Sequence, residues 1–167
     1  MNKKAKEYIK KLQLKPHPEG GYYKELYRAG ELILPDHLPT RFKSSRTFST
    51  SIYFLLEGKQ ISTIHRLKAD ELWHFYDGST LIIYIIDESG ELRKLKLGSN
   101  VEDGEMFQVQ IKNNNWFGAE LLDKSSYALI GCTVSPGFEF EDFELGDKIE
   151  LSKKYPEHKN IILKLTN

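Results

Sequence analysis

The sequence predicts an all-β fold, an antiparallel sandwich or barrel of the jelly-roll kind, and three observations carry that expectation. Runs rich in β-branched and aromatic residues fill most of residues 46–134. Turn signals separate them about every 8 to 12 residues. Where a period can be read, it is the alternation of a half-buried strand, as in residues 107–111, Phe-Gln-Val-Gln-Ile. The 167 residues suit one domain spanning 1–167, long enough to bury about two-thirds of the surface its unfolded chain would expose.

Taken in order, the chain begins with Ala5, Tyr8, Ile9 and Leu12 at i, i+3, i+4 and i+7, the stripe of a short amphipathic helix whose lysines face water. Pro18 and the pair Gly20-Gly21 then interrupt helix and set an extended segment. Strands are predicted over residues 46–56, stopping at Glu57-Gly58, and over 60–67, 71–77 and 79–87. Asp87-Glu-Ser-Gly90 is a hairpin turn, and residues 98–104 form a longer connection. Asn113-Asn-Asn115 breaks the next strand, and residues 127–134 make the most buried-looking one. In residues 150–167, Pro156 and many charges precede Ile161-Ile-Leu163, which is expected to pack as a last strand or helical turn.

Lysine plus arginine equals aspartate plus glutamate at 24 each, so no basic stripe or net field favours nucleic acid, a membrane surface or an acidic partner. Cys132 is the sole cysteine, which excludes an internal disulfide, and its apolar surroundings read as a small buried hydrophobe. No apolar span reaches the roughly 18 residues of a membrane helix, and the lysine-rich start lacks a secretory core, so a cytoplasmic protein is expected.

Chemistry concentrates in residues 65–78, where His65, Asp70, Glu71 and His74 crowd onto neighbouring strands. Histidine and a partly buried carboxyl can move protons near neutrality or hold a metal. His65, Glu71 and Gly78 match part of the first motif of the cupins, but Leu67 stands where that motif has its second histidine. In the second motif, Gly118 aligns with the histidine and Leu122 with the asparagine. No cofactor is therefore expected. A divalent metal, if bound, would have to use His65, Glu71 and His74.

Four longer segments occur in order: His17-Pro-Glu-Gly-Gly-Tyr, Ser49-Thr-Ser-Ile-Tyr-Phe-Leu-Leu, His65-Arg-Leu with residues 70–78, and Thr133-Val-Ser-Pro-Gly-Phe with Asp142-Phe143. Over residues 12–155 the chain resembles the uncharacterised cupin type 5 family, also called domain of unknown function 985. The resemblance implies a cupin jelly-roll barrel with a short N-terminal helix, a homodimer and a small-molecule ligand, but no particular reaction.

Within that frame, His65, Glu71 and Tyr84 are the candidate catalytic residues, and Ser49, Ser51, Tyr53, Trp73 and His74 the candidate ligand contacts. Trp73 shares Glu71's strand parity and can stack on a planar ligand, whereas His74 has the opposite parity. Glu19 and Gly20-Gly21 are placed at a rim of the pocket, and residues 136–138 at a turn or lid. Asp142 is expected to accept from that turn or to orient a pocket histidine, while His37 and His158 read as solvent histidines. Three functions follow: a metal-independent isomerase or epimerase acting on a sugar nucleotide, with His65 as base and Glu71 or a tyrosine as acid; a metalloenzyme; and a non-enzymatic ligand-binding or sensing module.

Overall fold

In the computed structural model, which describes residues 2–166, helix α1 spans Lys3–Lys11, capped by the Asn2 side chain accepting from the amides of Lys4 and Ala5. The strands are β1 (Lys15–Pro16), β2 (Tyr22–Arg28), β3 (Leu32–Ile33), β4 (Arg46–Thr47), β5 (Thr50–Glu57), β6 (Ile61–Leu67) and β7 (Asp70–Gly78). They continue with β8 (Leu81–Ile86), β9 (Leu92–Leu97), β10 (Gln108–Ile111), β11 (Trp116–Leu121), β12 (Tyr127–Ser135) and β13 (Phe143–Leu145). Helices α2 (Lys148–Lys154) and α3 (Lys159–Lys164) close the described chain, so its apolar C-terminal residues are helical rather than a last strand.

One sheet runs β1-β2-β5-β12-β7-β10 and the other β13-β6-β11-β8-β9, with β3 and β4 paired apart. All the paired strands within them are antiparallel, so strands distant in sequence become neighbours, as in a jelly roll. The core lies between the sheets. Phe54, Trp73, Val109 and Ile130 enter it from one side, and Leu81, Ile83, Ile85 and Phe117 from the other. Each fully buried side chain of this size contributes roughly 1.5–3 kcal/mol.

Both outer faces are partly covered. Helix α1 lays Ala5 against Leu55 and Tyr127 on the six-stranded sheet. Helices α2 and α3 bring Leu151 and Ile162 over Ile82, Tyr84 and Ile86 on the other. Every residue of β8 is consequently buried. The hairpin after β8 forms as expected, the Asp87 carboxylate accepting from the amides of Ser89 and Glu91 at 2.9 and 3.0 Å. Among the described residues no helix is long and apolar enough to cross a membrane.

Candidate functional site

At one end the sandwich is not filled by side chains. A cavity of about 210 Å³ opens there, its floor set by Glu19, His65 and Glu71 and its wall by Tyr23, Phe138 and Phe143. Three local devices aim the polar groups inward. Between β1 and β2 the chain turns through Gly20 and Gly21 with φ of +107° and +70°, values that side-chain-bearing residues rarely adopt. A bond from the Thr63 amide to the Glu19 carbonyl, 2.8 Å long, ties this turn to β6. On β6 the register against β11 slips: His65 faces Phe117, but Ser62, not Thr63, faces Ala119. Phe117 and Ala119 both point into the core, so this β-bulge turns both Ser62 and His65 inward. On β7, plain alternation turns Glu71 and Trp73 inward beside Cys132 and Val134 of β12.

Hydrogen bonding fixes the tautomer of a neutral His65. Nδ1 of His65 lies 2.7 Å from the Thr63 carbonyl, which can only accept, so Nδ1 carries the proton and Nε2 its lone pair. Nε2 faces Oε2 of Glu19 at 3.2 Å, while Oε1 of Glu19 accepts from the Ser62 hydroxyl at 3.0 Å. Burial lowers the His65 pKa to about 4, against the Thr63 carbonyl, and raises that of Glu19 to about 8, against Ser62. Both shifts disfavour charge. Both groups are thus biased toward their neutral forms, a carboxyl 3.2 Å from an imidazole with neither charge favoured.

Glu71 is 7% exposed, and among the described residues neither its Oε2 nor Nε1 of the neighbouring Trp73 has a partner at full hydrogen-bond geometry, although the Trp73 indole and the Cys132 thiol lie near enough to favour the carboxylate weakly. Burial, and secondly the charge of Glu19, push the Glu71 pKa up to about 8, which Trp73 and Cys132 oppose too weakly to reverse. Burial pushes the Cys132 thiol well above its ordinary value, with Glu71 adding to the effect, so it is not a thiolate nucleophile. His17 completes the floor, its Nδ1 accepting from the Glu19 amide at 3.3 Å and its ring edge-on to Tyr23 at 4.5 Å. Burial, then the charge of His65, lower its pKa to about 4. Burial thus biases His17, Glu19, His65 and Glu71, the four groups of the floor, toward their neutral forms.

The aromatic wall is pinned from both sides. Arg46, fully buried, donates to both Asp142 oxygens at 2.6 and 2.7 Å. At the mouth Arg28 donates to Glu139, Glu25 and the Phe138 carbonyl. Phe138 and Phe143 therefore stand on a clamped segment.

His65 and Glu71 line the cavity and Phe138 stands in its wall, while Glu19, expected at a rim, lies in the floor beside His65. Other expectations are corrected. Tyr84 points to the outer face of β8, beneath α2 and α3, and donates to Glu120 at 3.0 Å. Tyr53 and Ser51 lie on the outer face of β5, Tyr53 packing near α1 and edge-on to Tyr76. The inward face of β5 carries Thr50, Ile52 and Phe54 instead. Ser49, just before β5, donates to the Val134 carbonyl at 3.1 Å and does not line the cavity. Trp73 fills the core between Phe54 and Phe117 rather than the cavity wall. His74 faces outward, 3.3 Å from the Thr133 hydroxyl. Asp142 pairs with Arg46 rather than with a histidine. His37 is exposed as expected, but His158 is part-buried, its Nε2 2.8 Å from the Gly90 carbonyl.

The three-donor metal set is therefore not assembled, because strand alternation puts His74 on the opposite side of the sheet from His65 and Glu71. Both nitrogens of His65 are engaged, Leu67 supplies no donor, and Gly118 pairs with outward-facing Tyr84. Among the described residues no group of three or more His, Cys, Asp or Glu side chains is arranged to hold a metal ion. The residues present do not fit the metal site that the resemblance would imply.

The model of the family described as Cupin superfamily (DUF985) matches residues 6–146. The chain belongs to this family. A solved protein from Shewanella oneidensis is 39% identical with a TM-score of 0.88, covering 98% of this chain and 97% of its own. A hypothetical protein from Leishmania major is 34% identical with a TM-score of 0.85, covering 97% and 98%. An uncharacterized protein of Saccharomyces cerevisiae is 27% identical over 146 residues, 81% of this chain and 72% of the relative. Oxalate decarboxylase from Bacillus subtilis superposes with a TM-score of 0.56 at 16% identity, covering 90% of this cupin and 36% of that enzyme, a likeness of fold alone. Mn(II) centres are named for that decarboxylase.

In this cupin the residues that sequence reasoning passed over are His17 and Ser62, together with the central position of Glu19. They come from a turn and a bulge, where no periodicity operates. The available signal was two ionisable residues, His17 and Glu19, beside a Gly-Gly pair.

Proposed function

We propose that the cavity binds a small carbonyl compound and moves a proton beside the carbonyl, as an isomerase or epimerase does. The observation that carries this reading is the presence of two buried carboxyls without a cation partner in one cavity floor, Glu19 against His65 and Glu71 with Oε2 unpartnered. Glu19 passes its proton to Nε2 of His65 and becomes a carboxylate base. It then removes the proton from the carbon next to the carbonyl. The C–H electron pair forms the C=C bond of an enol as the carbonyl oxygen takes the proton of Glu71. For an isomerisation Glu19 gives its proton to the former carbonyl carbon, Glu71 takes the hydroxyl proton from the carbon that lost its hydrogen, and His65 returns the Nε2 proton to Glu19. For an epimerisation a water molecule protonates the other face of the first carbon, Glu71 recovers the enol proton, and the imidazolium neutralises the hydroxide.

This assignment makes Glu19 the base and His65 the group that unmasks it, since neither ring nitrogen of His65 is free for a ligand. The volume, below the roughly 300–1,000 Å³ of drug-sized sites, suits a single ring. Of a sugar nucleotide only the sugar would enter, its nucleotide lying outside the mouth at Lys15 and Arg28. A second reading, a binding or sensing module without turnover, draws on the same engagement of both His65 nitrogens.

The test is proton NMR in heavy water of keto-sugar nucleotides and free ketoses with the protein, alongside native mass spectra of what the purified protein retains. Exchange at the carbon beside the carbonyl is expected, with Glu19→Gln and Glu71→Gln each slowing it by about 100-fold or more. Exchange indifferent to both changes, or one metal per chain lost on His65→Ala, would overturn the proposal. A retained small molecule with no exchange would favour the binding module.

A further inference from the structure

Ser62, Glu19, His65 and Thr63 form a chain of three contacts, with a hydrogen bond at each end. The Ser62 hydroxyl donates to Oε1 of Glu19, Oε2 faces Nε2 of His65, and Nδ1 of His65 donates to the Thr63 carbonyl. Direction is set at both ends. The Thr63 carbonyl has no proton to give, so the imidazole must point its lone pair at Glu19. Ser62 has a single proton, and giving it to Oε1 leaves that oxygen as an acceptor and places the carboxyl proton on Oε2. Were the proton on Oε1, it would point at Ser62 and away from the imidazole.

Ser62 holds this place only because of the β6 bulge. In a regular strand Ser62 and His65, three apart, would point to opposite faces. The bulge is pressed against a glycine on the neighbouring strand: a Cβ on Gly118 would lie 2.8 Å from the Ser62 carbonyl and 3.2 Å from the Ile64 amide. Ser62 is fully buried, Glu19 is 6% exposed, and the hydroxyl has no other hydrogen-bond partner of its own as donor.

We propose that Ser62, carried inward by the β6 bulge over Gly118, is a positioning residue that assigns the Glu19 proton to the oxygen facing His65. The proposal deepens the proton-transfer reading, in which Glu19 is the reacting group. It can be tested without substrate, so its failure and the failure of that reading are separable.

The experiment is NMR of the whole chain carrying ¹⁵N-histidine and carboxyl-¹³C-glutamate, with His65→Gln and Glu19→Gln used for assignment. Ser62→Ala is expected to move the Nε2 signal of His65 toward that of a nitrogen without a donor. Because the hydroxyl stabilises the ionised carboxylate, its loss should also raise the Glu19 titration by about one pH unit. Ser62→Thr keeps the hydroxyl and should restore both. If Ser62→Ala does not fold, Ser62→Cys, close in size and a weak donor, should produce the same two changes in reduced degree. Wild-type signals in Ser62→Ala or Ser62→Cys would overturn the proposal, as would Ser62→Thr resembling Ser62→Ala.

Discussion

Glu71, in the cavity between the sheets, and Glu120, on the outer face of β11, are buried to almost the same extent, 7% and 5% exposed. Around Glu120 burial pushes the pKa up, but the ammoniums of Lys124 and Lys164 and the hydroxyl of Tyr84 outweigh it and hold the carboxyl below its ordinary value. Around Glu71 there is no cation, and burial wins. Asp142 is likewise paired with a cation, Arg46, whereas Glu19 faces an imidazole. Burial alone does not distinguish a carboxyl that holds a fold together from one prepared for chemistry; the partner does. The scaffold acids are paid for by cations on neighbouring elements, whereas the cavity acids face imidazole, indole, thiol or nothing.

The largest effect that sharpens this contrast belongs to the scaffold. Arg46→Leu leaves Asp142, 4% exposed, with only the half-exposed Lys68 at 3.4 Å as a cation, and should cost about 3 kcal/mol in chemical denaturation. Arg46→Leu combined with Asp142→Leu should recover much of that loss, because a neutral pair leaves no buried charge uncompensated.

Next is the pH dependence of stability. Glu19 and Glu71 titrate at about 8 when folded against 4.5 unfolded, so between those values the folded state holds more protons and stability falls as pH rises. His17 and His65 titrate at about 4 against 6.5, so the unfolded state holds more protons there and stability rises with pH. The opposing pairs roughly cancel between pH 4.5 and 6.5. From 6.5 to 8 only the carboxyls act, and stability should decline by up to about 1.4 kcal/mol per pH unit for each. Unfolding measured across that window in Glu71→Gln should show a shallower decline. An unchanged slope would break the contrast.

Tyr84→Phe gives the smallest effect. It removes one hydrogen bond to Glu120 and should cost about 1 kcal/mol, with ligand retention and proton exchange at the cavity unchanged.

That Tyr84 belongs to the scaffold was not legible in the sequence, and the reason is physical. Alternation identifies the inner face of a strand only where the outer face is wet. Residues 107–111 and the pair Glu71/His74 obey this, and their facing is readable from parity. Helices α2 and α3 cover β8, whose Leu-Ile-Ile-Tyr-Ile-Ile sequence is apolar on both sides. Helix α1 covers β5, so the choice between Tyr53 and Phe54 for the core left no pattern. The jelly roll itself was legible because strand propensity and turn chemistry are local. Half of the cavity floor was not: His17 and Glu19 meet His65 through a turn more than forty residues earlier in the chain, and Ser62 reaches them through a bulge that no period announces.

The most direct measurement is a carboxyl-¹³C titration of the glutamates in the ligand-free protein, with Glu19→Gln and Glu71→Gln to assign the two cavity signals. Two carboxyls titrating near pH 8, with Glu120 ionised well below them, is the expected result. If Glu19 and Glu71 instead titrate near 4.5 with the other glutamates, the cavity carries charge at neutral pH and the separation of scaffold acids from cavity acids is wrong.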